Sequence, residues 1–95
     1  MSDFNYQDYI HEHFLPNKYL SIYCSIVNRA LERVHTLDTY IEKHHILPKS
    51  IWPEYKSELL NIVRLTAREH FVCHLLLTKF TQGTSRGKMA YALWG

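Results

Sequence analysis

A chain of 95 residues makes one domain with a thin core, since a chain of this size buries about two-thirds of its unfolded surface. A hydrophobic content of 46%, with seven Tyr, four Phe and two Trp, argues against a disordered chain. The net charge is only +2, but residues 1–42 carry three basic and six acidic side chains while residues 43–95 carry eight and three.

Residues 2–15 read as a short helix, with Ser2 or Asp3 as its cap and Tyr6, Tyr9, Ile10, His13 and Phe14 at helical spacing. Pro16 ends it and Asn17 caps the next. Over residues 18–34 the apolar stripe Tyr19, Leu20, Tyr23, Ile26, Val27, Ala30, Leu31 and Val34 predicts a second helix. The tyrosines of this stripe read as packing rather than chemistry. His11, His13 and His35 have no partners at metal spacing and read as surface or interface histidines. Residues 36–38 turn the chain, and Thr39, Tyr40 and Ile41 have the β-branched and aromatic character of a strand that runs into Glu42-Lys43-His44-His45.

Pro48 opens a loop that Trp52, followed by Pro53, anchors by burying its indole. Residues 54–60 have room for a helical turn. A second strand over residues 61–65 returns antiparallel, and a two-stranded hairpin needs a helix on its face. Thr66-Ala67-Arg68-Glu69 is a capping box that starts this helix. It spans residues 67–80, with Phe71, Val72, Leu75, Leu76 and Phe80 available to the core. Gly83, Gly87 and the polar residues between them form a loop, and residues 88–94 begin a last helix. The expected fold is α+β and mainly helical, in a single domain. A helical part (1–36) supports a hairpin and helix (39–80), followed by a C-terminal loop and helix (81–95).

Cys24 and Cys73 lie far apart in no CxxC pair, which argues against a disulfide scaffold or a zinc ribbon and for a reducing compartment. Both read as free, small, buried apolar residues. With no signal peptide and no apolar run near the roughly twenty residues that span a bilayer, the expected location is the cytoplasm.

The chemistry concentrates in Glu42-Lys43-His44-His45, Asn61, His70 and His74. At i, i+4 on a helix, His70 and His74 share one face, which is half of a metal site. Consecutive strand residues point to opposite faces, so one of His44 and His45 can join the metal while the other handles a proton. Glu42 shares a strand face with His44, where a carboxylate orients a ligand imidazole; pairing with a surface Lys or Arg is the alternative. Arg68, a cation in the first helical turn, opposes the helix dipole, and a phosphate nearby removes that conflict. Lys43, Lys49 and Arg64 are weaker candidates for a backbone contact.

His44-His45, Asn61, His70 and His74 resemble the HNH nuclease motif. The segments Glu-Lys-His-His-Ile-Leu-Pro-Lys-Ser and Asn-Ile-Val-Arg-Leu-Thr-Ala-Arg-Glu-His-Phe are most similar to the small HNH endonucleases of bacteriophages, over roughly residues 40–80. The chain departs from their pattern at Ile51-Trp52-Pro53-Glu54-Tyr55, where those proteins usually carry a Gly-Gly pair. The resemblance implies a ββα-metal fold and a metal-dependent DNA endonuclease. Under it His44, His70 and His74 bind one divalent ion (Zn, Ni, Mg or Mn), His45 is the general base, and Asn61 holds the loop that aims it. DNA is then the partner, with no membrane and no small-molecule cofactor. The competing expectation is a non-catalytic module in which a structural zinc stabilises a nucleic-acid- or protein-binding domain. Structural zinc sites usually close with four protein ligands, whereas three leave a position open.

Overall fold

The computed structural model describes residues 3–36 and 38–81. Ser2 as a cap, the loop at Gly83 and Gly87, and the helix expected over 88–94 lie outside the described residues. The architecture is α+β: two α-helices and three-residue 3-10 turns surround one antiparallel hairpin.

The N-terminal segment departs from the expected helix. It forms two 3-10 turns, Tyr6–Asp8 and Ile10–Glu12, and the first is capped by Asn5, whose side chain accepts from the Gln7 amide. A short isolated helix rarely repays the cost of nucleation, and here packing decides the path. Tyr6, Ile10 and Phe14 are buried at four-residue spacing, so the helical period was real although the hydrogen bonding is tighter.

Helix α1, Lys18–Glu32, begins at Asn17, whose Oδ1 accepts from the amides of Tyr19 (3.0 Å) and Leu20 (3.2 Å). It buries Leu20, Tyr23, Val27 and Ala30. The expected stripe overran this face: Leu31, inside α1, is 48% exposed, and Val34 is 89% exposed beyond the point where the backbone turns extended at Arg33. Arg33 instead forks onto both carboxylate oxygens of Glu69 and so ties the end of α1 to the next helix.

Strand β1, Glu42–His45, pairs antiparallel with β2, Ile62–Leu65, in the register Glu42↔Leu65, Lys43↔Arg64, His44↔Val63 and His45↔Ile62. Residues 39–41 were expected in the strand, but their would-be partners are gone. After Leu65, Thr66 leaves the sheet to cap α2, Ala67–Phe80. Both halves of the capping box form: the Thr66 hydroxyl accepts from the Glu69 amide (3.1 Å), and Glu69 accepts from the Thr66 amide (2.9 Å).

Helix α2 has the expected span, and of its expected inner face Leu76 and Phe80 are buried and Val72 packs against the core. Cys73, Leu76, Leu77 and Phe80 are buried, while Phe71 and Leu75 stand 60% and 41% exposed. Apolar residues surround most of this helix, so periodicity alone could not choose its orientation. The long loop between the strands is pinned by Trp52, whose buried indole donates to Glu12 Oε1 (3.0 Å) and meets Phe14 edge-on at 5.2 Å. Two 3-10 turns, Pro53–Tyr55 and Leu59–Asn61, stand where one helical turn was expected.

Candidate metal centre and active site

The side of β1 that carries Glu42 and His44 meets the side of α2 that carries His70 and His74. Ligand atoms of His44, His70 and His74 lie within 4.8 Å of one another. A tetrahedral ion with bonds of about 2.0–2.1 Å spaces its donors about 3.3 Å apart, so the set is close to ligating size. His70 Nε2 and His74 Nε2 are already at 3.1 Å.

Two of the three imidazoles have their outer nitrogens occupied. His70 Nδ1 lies 2.8 Å from Glu42 Oε1, and Tyr40 donates its hydroxyl to Glu42 Oε2 at 2.6 Å. An ionised carboxylate only accepts, so His70 carries a proton on Nδ1, and its Nε2 faces His74 Nε2. His44 Nε2 lies 2.7 Å from the Tyr23 hydroxyl in the core. His74 Nδ1 is buried with no partner among the described residues.

Burial and mutual proximity set the protonation of two of these imidazoles. Burial, and then the neighbouring His74 and His70, hold His44 well below the ordinary imidazole value of 6.5. Burial, followed by His70, also lowers His74. Both are therefore neutral near pH 7, the form that ligates. Three imidazoles whose ring nitrogens converge, one buried and two half-buried, are a donor set that suits a divalent transition metal. Cys73, one residue before His74, is not part of it: its thiol is fully buried in the core, and desolvation pushes it up to about 12.

His45 lies outside the cluster, on the other side of β1. Its Nε2 is 2.9 Å from the Lys56 carbonyl, which can only accept. The proton therefore sits on Nε2, and Nδ1 offers a lone pair. Asn61 precedes β2 rather than opening it, and it is fully buried. Its Oδ1 accepts from the Leu47 amide (2.7 Å), and its Nδ2 donates to the carbonyls of Leu47 (3.1 Å) and Tyr55 (3.2 Å). These bonds close the base of the loop that presents Lys56 to His45.

Lys43, Lys49, Arg64 and Arg68 are all exposed, and none has an ion-pair partner among the described residues. The register sets Lys43 directly opposite Arg64. Sequence reasoning missed Tyr23, Tyr40, the Lys56 carbonyl and Arg33. A tyrosine on a buried stripe was the available signal for Tyr23, since a buried hydroxyl needs a partner. Tyr40 stands two residues from Glu42, a same-side spacing in extended chain. Nothing in the sequence pairs Arg33 with Glu69 or names a main-chain carbonyl.

Three proteins of Enterobacteria phage T4 are similar to this chain. "Probable mobile endonuclease E" is 43% identical over 61 residues, which are 64% of this chain and 41% of that protein. "Probable mobile endonuclease D" is 37% identical over 79 residues, 80% of this chain and 29% of that protein. "Probable mobile endonuclease B" is 39% identical over 64 residues, 64% and 24% respectively. The chain is related to phage HNH-type endonucleases. It spans about a quarter to two-fifths of the length of these curated relatives. No family model matches it, and no solved structure matches it. No helix among the described residues is long and apolar enough to cross a membrane.

Proposed function

We propose that this chain is the catalytic module of a metal-dependent DNA endonuclease that hydrolyses a phosphodiester. The observation that carries this reading is the division of labour at the end of β1. His44 joins His70 and His74 in a group able to hold an ion, while His45 is held by a main-chain carbonyl with one nitrogen free. A non-catalytic zinc module has no use for that second histidine. The names of the T4 relatives support the same activity.

In this reading His44, His70 and His74 hold the divalent ion. The chemistry such an ion would supply is Lewis-acid polarisation of a phosphate and charge stabilisation at the departing oxygen. His45 Nδ1 takes a proton from the attacking water, a task suited to an imidazole at neutral pH. The Lys56 carbonyl fixes the tautomer that leaves this nitrogen bare, and Asn61 fixes the loop that supplies the carbonyl. Glu42 orients His70. Lys43, Lys49, Arg64 and Arg68 are candidates to meet the DNA backbone. Three imidazoles favour zinc or nickel by affinity, while turnover with magnesium or manganese is a separate property that the cleavage assay reads.

The test is cleavage of supercoiled plasmid by metal-stripped protein, with magnesium, manganese, nickel or zinc added back. We expect metal-dependent nicking, a loss of at least about 100-fold in His45→Ala, and unchanged metal affinity in that variant. If no metal supports cutting while zinc still raises the melting temperature, the structural-module reading replaces this one.

A further inference from the structure

The sharpest constraint on the metal cluster comes from a residue outside it. Tyr23, on α1, is wholly buried, and its one hydroxyl makes two contacts of 2.7 Å: to the Ile46 carbonyl oxygen and to His44 Nε2. A phenol has a single proton to donate, and a carbonyl oxygen can only accept. The proton therefore goes to Ile46, and the contact with His44 survives only if Nε2–H of the imidazole is the donor. A neutral imidazole protonated at Nε2 is bare at Nδ1. We infer that Tyr23 is a positioning residue that sets the tautomer of His44, so that His44 offers the metal Nδ1 and not Nε2.

The surroundings allow no easy substitute. His44 is 2% exposed, so water has little access to Nε2. The Tyr23 ring packs edge-on against His44 at 5.9 Å and against Phe80 at 5.3 Å, which fixes the hydroxyl without any exposed side chain. Ile46 follows His45 directly, so the same hydroxyl also ties the end of β1 to α1. Ligand histidines gain basicity and a fixed ring orientation when their second nitrogen donates to a partner. Glu42 fills that place for His70; for His44 the partner is a neutral phenol in the core.

This inference rests on the metal-site reading above, and the experiment separates the two. Two-bond ¹H–¹⁵N spectra of the ¹⁵N-histidine-labelled full chain identify the tautomer of His44 without any metal. We expect Nε2–H in the metal-free protein and, on adding zinc, a metal-induced shift at His44 Nδ1 with Nε2 still protonated. Calorimetric titration of Tyr23→Phe should show zinc affinity reduced 10- to 100-fold, with the fold retained by circular dichroism. An Nδ1–H tautomer, zinc on Nε2, or affinity in a folded Tyr23→Phe within twofold of the parent overturns the role of Tyr23. Were Tyr23→Phe unable to fold, the spectra of the unaltered chain alone decide. Failure of the unaltered chain to bind zinc or nickel at all removes the metal site, and this inference with it.

Discussion

At the scale of single residues, the side chains that matter most are those whose hydrogen bonds are fully spent. Asn61 uses both ends of its amide on Leu47 and a third bond on Tyr55. Asn61→Ala strands buried main-chain groups, each worth about 1–3 kcal/mol, so a loss of about 3–5 kcal/mol is expected in urea unfolding. Because the loop also carries the carbonyl that holds His45, nicking should fall further than the folded fraction does at the same temperature. Equal losses would make Asn61 a purely structural residue. Tyr6 offers a pH signature away from the site. Desolvation by burial, helped by Cys24, pushes its phenol up to about 12, and its hydroxyl bonds Asn28 at 2.7 Å. A raised folded value means the unfolded chain loses this proton first. The stability is whole below pH 10, the ordinary tyrosine value, and is lost as the pH climbs toward 12. Melting temperatures at pH 9 and pH 11 should fall less in Tyr6→Phe than in the parent. Parallel falls would locate the alkaline loss elsewhere.

At the scale of elements, the capping box shows why some of the site was legible and some was not. Thr66 and Glu69 are three residues apart and act through local geometry, so the start of α2 could be read from four letters. His70 and His74 share a helical face for the same reason. The expected β1 ran three residues too far because its end depends on where the partner strand leaves the sheet, a non-local event. The inner face of α2 is legible only in part, at Val72, Leu76 and Phe80, because Phe71 and Leu75 are as apolar as the Cys73 and Leu77 that are buried. Glu69 joins the two kinds of information: it completes the local box and also receives Arg33 from the end of α1. Thr66→Ala should cost about 1 kcal/mol in urea unfolding. It should also loosen the Arg33 contact, so Arg33→Met costs less in the Thr66→Ala background than alone. Additive losses would show that the cap and the ion pair are independent.

At the scale of the whole molecule, the charge asymmetry seen in the sequence acquires a surface. Residues 43–95 hold the excess of positive charge, and the hairpin register places two of those cations, Lys43 and Arg64, directly opposite each other and exposed. Like charges facing each other across two strands weaken the pairing. An arrangement that costs the free protein stability gains a rationale if a phosphate sits between the two heads. His45 alternates with His44 along β1, which puts it on the same side of the strand as Lys43. A backbone gripped by Lys43 and Arg64 would thus run along the face that carries the proposed base. Each phosphate contact on duplex DNA contributes roughly 0.9 to the slope of log affinity against log salt. In a His45→Ala background, which keeps the DNA intact, replacing both cations by glutamine should flatten that slope by about 2. The metal-free double variant should also melt slightly higher than its parent, because the repulsion is gone. A slope that stays the same, with binding equally tight at every salt concentration, would place the DNA on another face and shift attention to Lys49 and Arg68. A flatter slope with no gain in melting temperature would keep the DNA contact but show that the opposed cations cost the free hairpin nothing.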